Sequence, residues 1–391
     1  MNMRRKTVAF VCTISLFLTV GLTGCVNTQT ESSRYTSETF NISDSSRSEH
    51  EQNIYDEVAY SIVTDIDQYG DVMFDIKEIA LEYGDSVDIS FSGGYELKDI
   101  PYYPDFFGNR GSAILTDHFD NVCVAGIGCS FNNKADIKTG EKVRVVINEK
   151  GRYKKEYEAY NINDAKTRSD GQSDESFLNA REVNAGQIKT NLLFRSASPF
   201  DNKFGRVELM KKYLYEHEIN CILDLSDTEE KLYSYNDLPD YTVSLISSEK
   251  VILCPIGVDY LETEAMQMLG KGFTAMANTD GPYLIQCNLG RDRTGVICAV
   301  LEALCGASYQ EIVDDYMLSY DMLHSIDMDP SSLQYKLFKQ RIDEQLEVIL
   351  GIGINQLPES NLQSPAYDYL LRCGMQKNDI EILIKKLTSS E

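Results

Sequence analysis

The chain has 391 residues, with 37 Lys and Arg against 61 Asp and Glu, for a formal charge of −24. So acidic a surface lacks the cations that give non-specific affinity for phosphate backbones or anionic bilayers, which excludes a nucleic-acid binder and a protein held to membranes by charge alone. The length suggests about two domains of roughly 150 residues; 42% apolar residues exclude global disorder, and four scattered histidines, none beside a Cys pair at metal-ligand spacing, exclude zinc ribbons and HExxH sites.

Arg4, Arg5 and Lys6 precede an apolar run from Thr7 to Leu22 that closes on Leu22-Thr23-Gly24-Cys25. A charged start, a short apolar stretch and small residues at its end make an export signal, and the run is short for a bilayer-spanning helix. The ending resembles the lipobox of bacterial lipoprotein precursors. That resemblance implies removal of residues 1–24, lipid on Cys25, and a place on the extracellular face of the bacterial cell membrane. Residues 25–52 are nearly all polar beyond the lipid site, a composition that behaves as a solvated, flexible tether.

From 53 to 165 the text alternates with period two and is punctuated by glycine: Val72–Ile76, Ser86–Phe91, Val122–Ala125 and Lys142–Ile147. This predicts a small, mostly antiparallel β domain. No nucleophile, metal set or phosphate loop appears in it, so it reads as a binding or spacer module. Beyond Cys25 the cysteines sit mostly in apolar runs, where a thiol acts as a small hydrophobe; Cys123 and Cys129 are the one pair left open to a disulfide.

Ala165–Ser176 is polar and reads as a linker. After it, Cys221–Leu225, Val251–Ile256 and Tyr283–Gln286 are short apolar runs of the buried-strand kind, separated by amphipathic stretches near Val207–His217 and Thr263–Ala277. Such alternation predicts an α/β layer over 175–391, a central sheet flanked by helices. From Tyr283 onward the chain reads helical to its end, with Ser308-x-x-Glu311 as a capping box and Gly306 stopping the helix before it.

Chemistry concentrates in Cys287-Asn288-Leu289-Gly290-Arg291-Asp292-Arg293-Thr294-Gly295, which leads from a buried strand into the apolar helix Val296–Leu304. A loop that wraps after a strand aims successive backbone N–H groups at one point beside a helix N-terminus, and a phosphate fits there. The same field favours the thiolate of Cys287, the nucleophilic form. Arg293 presents a planar fork matched to two phosphoryl oxygens, and Thr294 is placed to donate to the sulfur as it leaves.

This C-x5-R-T-G loop resembles that of cysteine-dependent protein tyrosine phosphatases, in particular exported bacterial ones whose loop reads H-C-x-x-G-K-D-R-T-G. Asn179-Ala180-Arg181, Arg195-Ser196, Leu223-Asp224-Leu225 and the closing helices from Tyr367 extend the likeness over about 175–390. Gln286, Arg291 and Ser226 depart from it, standing where the family has His, Lys and Arg. A glutamine amide replaces part of the hydrogen bonding by which that histidine braces the loop.

The resemblance implies Cys287 as nucleophile, residues Asn288–Thr294 as phosphate cradle, and no metal or cofactor. It leaves two candidates for the acid: Asp292 inside the loop, and Asp259 after the strand ending near Ile256, whose alternative role is a carboxylate at a helix N-terminus. Arg195 and Asp224 are expected to support the loop. The partner is a phosphorylated protein or small phosphate ester, phosphotyrosine first. A single extra loop cation, Arg291, argues against polyphosphates. A phosphoinositide or inositol-phosphate phosphatase and a catalytically weak phosphate-binding lipoprotein remain as alternatives.

Overall fold

The computed structural model describes residues 57–388, apart from 68–69, 77–78, 119–120, 128–130, 163–164 and 166. The export signal, Cys25, the tether and Cys129 lie outside the described residues. Seven described cysteines, Cys287 among them, are buried free thiols. No described helix is long and apolar enough to cross a membrane.

The first seven strands are β1 (Val58–Ile66), β2 (Val72–Phe74), β3 (Ser86–Phe91), β4 (Glu96–Tyr103), β5 (Ala113–His118), β6 (Asn121–Gly126) and β7 (Lys142–Glu149). They close into a barrel in the order β1-β2-β6-β5-β4-β3-β7. Alternation makes the closure possible: in β7 Val143, Val145 and Ile147 turn inward while Lys142 and Arg144 turn out. Every pairing is antiparallel except β4 with β5, so the domain is mostly antiparallel, and closure leaves no open edge.

The second sheet has β8 (Arg181–Glu182), β9 (Leu193–Ala197), β10 (Cys221–Asp224), β11 (Val251–Leu253) and β12 (Tyr283–Cys287), in the order β11-β10-β12-β9-β8. Its four principal strands are parallel, and β8 alone runs antiparallel, against β9. Continuous apolar text follows from burial on both faces. Leu223, Tyr283 and Ile285 pack on one side with helices Thr263–Asn278 and Asp292–Leu304; Ile222, Leu284 and Phe194 pack on the other with helices Val207–Glu216 and Asp240–Ser247. The parallel strands thus bring the C-terminal ends of β9, β10 and β12 side by side, where open α/β sheets build their sites.

Three local differences from the sequence reading have physical causes. The Val251–Ile256 run is strand only to Leu253: Cys254 N–H still reaches the Asp224 carbonyl at 2.7 Å, but Pro255 has no N–H to continue the ladder. The helix after the loop begins at Asp292, four residues before its apolar stretch. The polar linker is gripped: Arg206, 2% exposed, donates to the Ala165 carbonyl at 2.6 Å, and Gln172 donates to that of Met322 at 2.8 Å.

The barrel side packs on the sheet domain through helix Lys154–Tyr160. Tyr160 stacks on Phe107 at 4.9 Å between ring centroids and meets Phe338 edge-on at 5.9 Å. Gln334 donates to the Ala159 carbonyl at 3.0 Å, and Arg110 N–H to Glu344 at 2.9 Å.

Candidate active site

Cys287 ends β12 and is 4% exposed. The loop after it is held from outside by its own carbonyls. Ser198 N–H donates to Asn288 at 3.4 Å, Asn179 to Leu289 at 3.0 Å, and Arg195 to Gly290 at 3.0 Å and Arg291 at 3.3 Å. In a trans peptide the N–H points opposite to the carbonyl before it. Outward carbonyls therefore aim the N–H groups of Leu289, Gly290, Arg291 and Asp292 toward the loop's centre.

Gly290 makes that curl possible. Its φ is +66°, and a Cβ there would lie 2.3 Å from the Ser196 carbonyl, so the loop presses directly on the β9 backbone.

Arg195 is fully buried, and its charge is met by Asp315, which also binds Arg181 at 2.8 Å; Ser319 accepts from both arginines at 3.0 Å. Burial works against the Asp315 carboxylate, but the two guanidiniums outweigh it and hold it at about 2. Glu302, buried beside them, is pushed well above its usual range by burial and by the Asp315 charge. Asp315, Ser319 and Glu302 escaped the sequence reading. They lie on helices Asp292–Leu304 and Tyr309–His324, and the signal that finds them is helical spacing: Asp315 and Ser319 are four apart and face one way.

Arg293 donates through one terminal nitrogen to the carbonyls of Leu225 at 3.0 Å and Ile256 at 3.2 Å. Those bonds fix the fork's orientation and leave its other edge without a hydrogen bond among the described residues. The Thr294 hydroxyl, expected to donate to sulfur, is buried without a hydrogen-bond partner among the described residues.

Arg291 is not a spare cation. It binds Asp292 through Nε and Nη2 (2.9 Å for the latter), its Nη1 meets His324 Nε2 at 2.7 Å, and it lies 4.9 Å over the Tyr320 ring. Burial among protein atoms disfavours the Asp292 carboxylate, yet Arg291 beside it and the Tyr320 hydroxyl on Oδ1 hold it down at about 2.

Asp259 is exposed in the turn that follows Ile256, and its Oδ1 accepts from Leu261 N–H at 3.1 Å. The neighbouring Tyr260 is buried, and its hydroxyl is pushed far up by burial, with the Asp292 and Cys287 charges adding to the effect. The turn carrying Asp259 is therefore joined to the loop through the Ile256 carbonyl on Arg293.

Under the loop, β10 and β12 place Asp224 opposite Gln286. Asp224 Oδ1 accepts from Ser226 and Asp227 N–H at 2.9 and 3.1 Å, which organises the turn after β10. Burial first, then the charge of Asp227, pushes Asp224 up to about 7, and burial raises Asp227 as well. Both polar atoms of Gln286 are buried without a hydrogen-bond partner among the described residues, so the amide makes no bracing hydrogen bond to any of them. Among the described residues no cluster of three or more His, Cys, Asp or Glu is set to hold a metal ion.

A sequence profile described as the tyrosine phosphatase family matches residues 175–389. The chain belongs to the tyrosine phosphatase family. The profile begins at the helix before β8 and ends with the last helix, so the α/β layer is the phosphatase domain, of phosphoric monoester hydrolase type, and the barrel precedes it.

Among solved structures, the core catalytic domain of the PP-IP phosphatase SIW14 from S. cerevisiae is similar over 42% of this chain and 83% of its own, at 19% identity and a TM-score of 0.27. P. aeruginosa TpbA is similar over 45% and 95%, at 14% identity and 0.25. An uncharacterized conserved protein from Thermotoga maritima matches over 22% of this chain and 35% of its own, at 17% and 0.21, so the chain spans about a third of that protein. Among curated proteins nothing matches.

Proposed function

We propose that the protein is a surface-anchored lipoprotein phosphatase that hydrolyses phosphate monoesters through a cysteinyl-phosphate intermediate, with phosphotyrosine as the leading substrate class. The observation that carries this reading is the set of four loop carbonyls held from outside, which turns the N–H groups of Leu289–Asp292 onto one point beside Cys287.

Cys287 Sγ attacks phosphorus, the ester P–O bond breaks, and the leaving oxygen takes a proton from an acid, Asp259 in this reading. Water then attacks phosphorus, giving up a proton to the same carboxylate; the S–P bond breaks, and phosphate and the thiolate are released. The free edge of Arg293 follows the equatorial oxygens through both steps.

The protein should turn over p-nitrophenyl phosphate in the presence of EDTA. Cys287→Ser should abolish turnover while keeping vanadate binding, and Arg293→Lys should be impaired at least about a hundredfold, since an ammonium lacks the bidentate fork. Ordinary turnover in either variant would remove the assignment. The unpartnered Gln286 amide favours one second reading, a catalytically weak phosphate-binding lipoprotein; phosphate binding without turnover would decide for it. The anchor is tested by palmitate labelling in a bacterial host, expected to vanish in Cys25→Ser.

A further inference from the structure

All three guanidinium nitrogens of Arg291 are engaged inside the protein. Nε lies 3.1 Å and Nη2 2.9 Å from Asp292 Oδ2, and Nη1 lies 2.7 Å from His324 Nε2. A guanidinium has donors only, so Nε2 accepts and the ring proton of His324 sits on Nδ1. The same helix, Tyr309–His324, supplies Tyr320: the guanidinium lies over its ring at 4.9 Å, and its hydroxyl donates to Asp292 Oδ1 at 3.2 Å. Phe338, on helix Leu333–Leu350, stacks on that ring at 4.4 Å and fixes it.

The grip acts on an anion inside the cradle. Asp292 N–H is one of those turned toward the loop's centre, and three bonds separate that nitrogen from the carboxyl carbon, so the carboxylate stays within about 4 Å of an N–H aimed at phosphate. The Asp292 side chain is 41% exposed and that of Arg291 16%, so the cation is the more enclosed partner. Burial works against the Asp292 charge, but Arg291, and after it Arg341 on helix Leu333–Leu350, outweigh that. Unmatched, a carboxylate about 7 Å from a phosphate dianion would weaken its binding about tenfold or more at an effective dielectric of about 20.

We propose that Arg291 is a positioning residue: gripped by His324 and Tyr320, it neutralises and holds Asp292 so that the neighbouring N–H groups can take a phosphate dianion, and its side chain does not touch the substrate. This rests on the phosphatase reading above and narrows it to esters carrying one isolated phosphate, since the loop's extra cation is committed to Asp292 and His324.

Calorimetry of inorganic phosphate binding to the full-length protein tests the proposal through paired substitutions. Arg291→Met is expected to weaken binding about tenfold or more, and Arg291→Met combined with Asp292→Asn to recover most of the loss, because the charge that needed a partner is gone. A double variant no better than Arg291→Met overturns the proposal, since Arg291 is then itself a ligand of the phosphate. Where Arg291→Met fails to fold, Arg291→Gln carries the same comparison. His324→Leu should weaken phosphate binding, and His324→Gln, whose amide oxygen accepts as Nε2 does, should restore part of it; equal losses overturn the part given to His324. In kinetics, Arg291→Met should raise KM for p-nitrophenyl phosphate and for a vicinal inositol bisphosphate by the same factor. A loss confined to kcat overturns the proposal, and so does a loss about tenfold greater on the bisphosphate, because Arg291 then reaches the second phosphate. Absence of all turnover in the unmutated protein defeats the phosphatase reading, and the rescue of phosphate binding still decides about Arg291; absence of phosphate binding as well overturns both.

Discussion

Arg195 reaches from β9 to the carbonyl of Gly290 at 3.0 Å, 95 residues along the chain, and holds the loop after Cys287 from behind. The guanidinium is fully buried, so its removal leaves Asp315 facing Arg181 alone. Breaking a buried pair by removing one partner costs roughly 3–5 kcal/mol. Arg195→Leu should therefore lower stability by about that amount in urea titration and lose phosphate-analogue binding, whereas loss of activity with unchanged stability would deny the bracing role.

Gly290→Ala should abolish phosphate binding with little effect on the barrel. The residue sits at φ +66°, where a side chain is strained, and the new Cβ meets the Ser196 carbonyl at 2.3 Å, backbone that cannot step aside. Binding of vanadate, followed by thermal shift, reads the outcome; a retained shift would show that the loop relaxes around the methyl group.

Asp224 makes stability fall with rising pH. Its carboxyl, near 3.9 in the unfolded chain, is pushed up to about 7 in the native state by burial and by Asp227. The native state therefore holds an extra proton between those values. The contribution is fully present below about pH 4 and is lost as pH rises through about 7. Asp224→Asn cannot ionise, so its stability relative to the unmutated protein should improve from pH 5 to pH 8, by on the order of 1 kcal/mol or more. Parallel melting curves at the two pH values would contradict this.

The acid is decided by leaving groups. Asp292 is held ionised at about 2 by Arg291 and is poorly suited to give up a proton near neutrality, so Asp292→Asn should slow phosphotyrosine and p-nitrophenyl phosphate alike. Asp259→Asn should slow phosphotyrosine at least about tenfold more than p-nitrophenyl phosphate, because the nitrophenolate leaves without help. The reverse pattern would place the acid within the loop.

What the sequence determined by itself is what lies close together in it. Cys287 to Gly295 spells nucleophile, cradle and arginine within one turn from strand to helix. Period-two text in Lys142–Glu149 and the capping box Ser308–Glu311, whose reciprocal bonds are both formed, follow from backbone geometry alone. The tertiary structure decided what depends on side chains distant in the chain. Alternation gave strands but not the closure of β1 on β7, which only the register of Val58 with Val146 achieves. The loop gave Arg291 but not its pairing with His324, 33 residues away, nor the buried Asp315 that meets the charge of Arg195. Arg341 carries no motif at all, and packing alone sets it on Phe338 and Tyr160. Local periodicity records which face of an element is buried; it does not record which charge on that face finds another, because that pairing is fixed by how the elements cross.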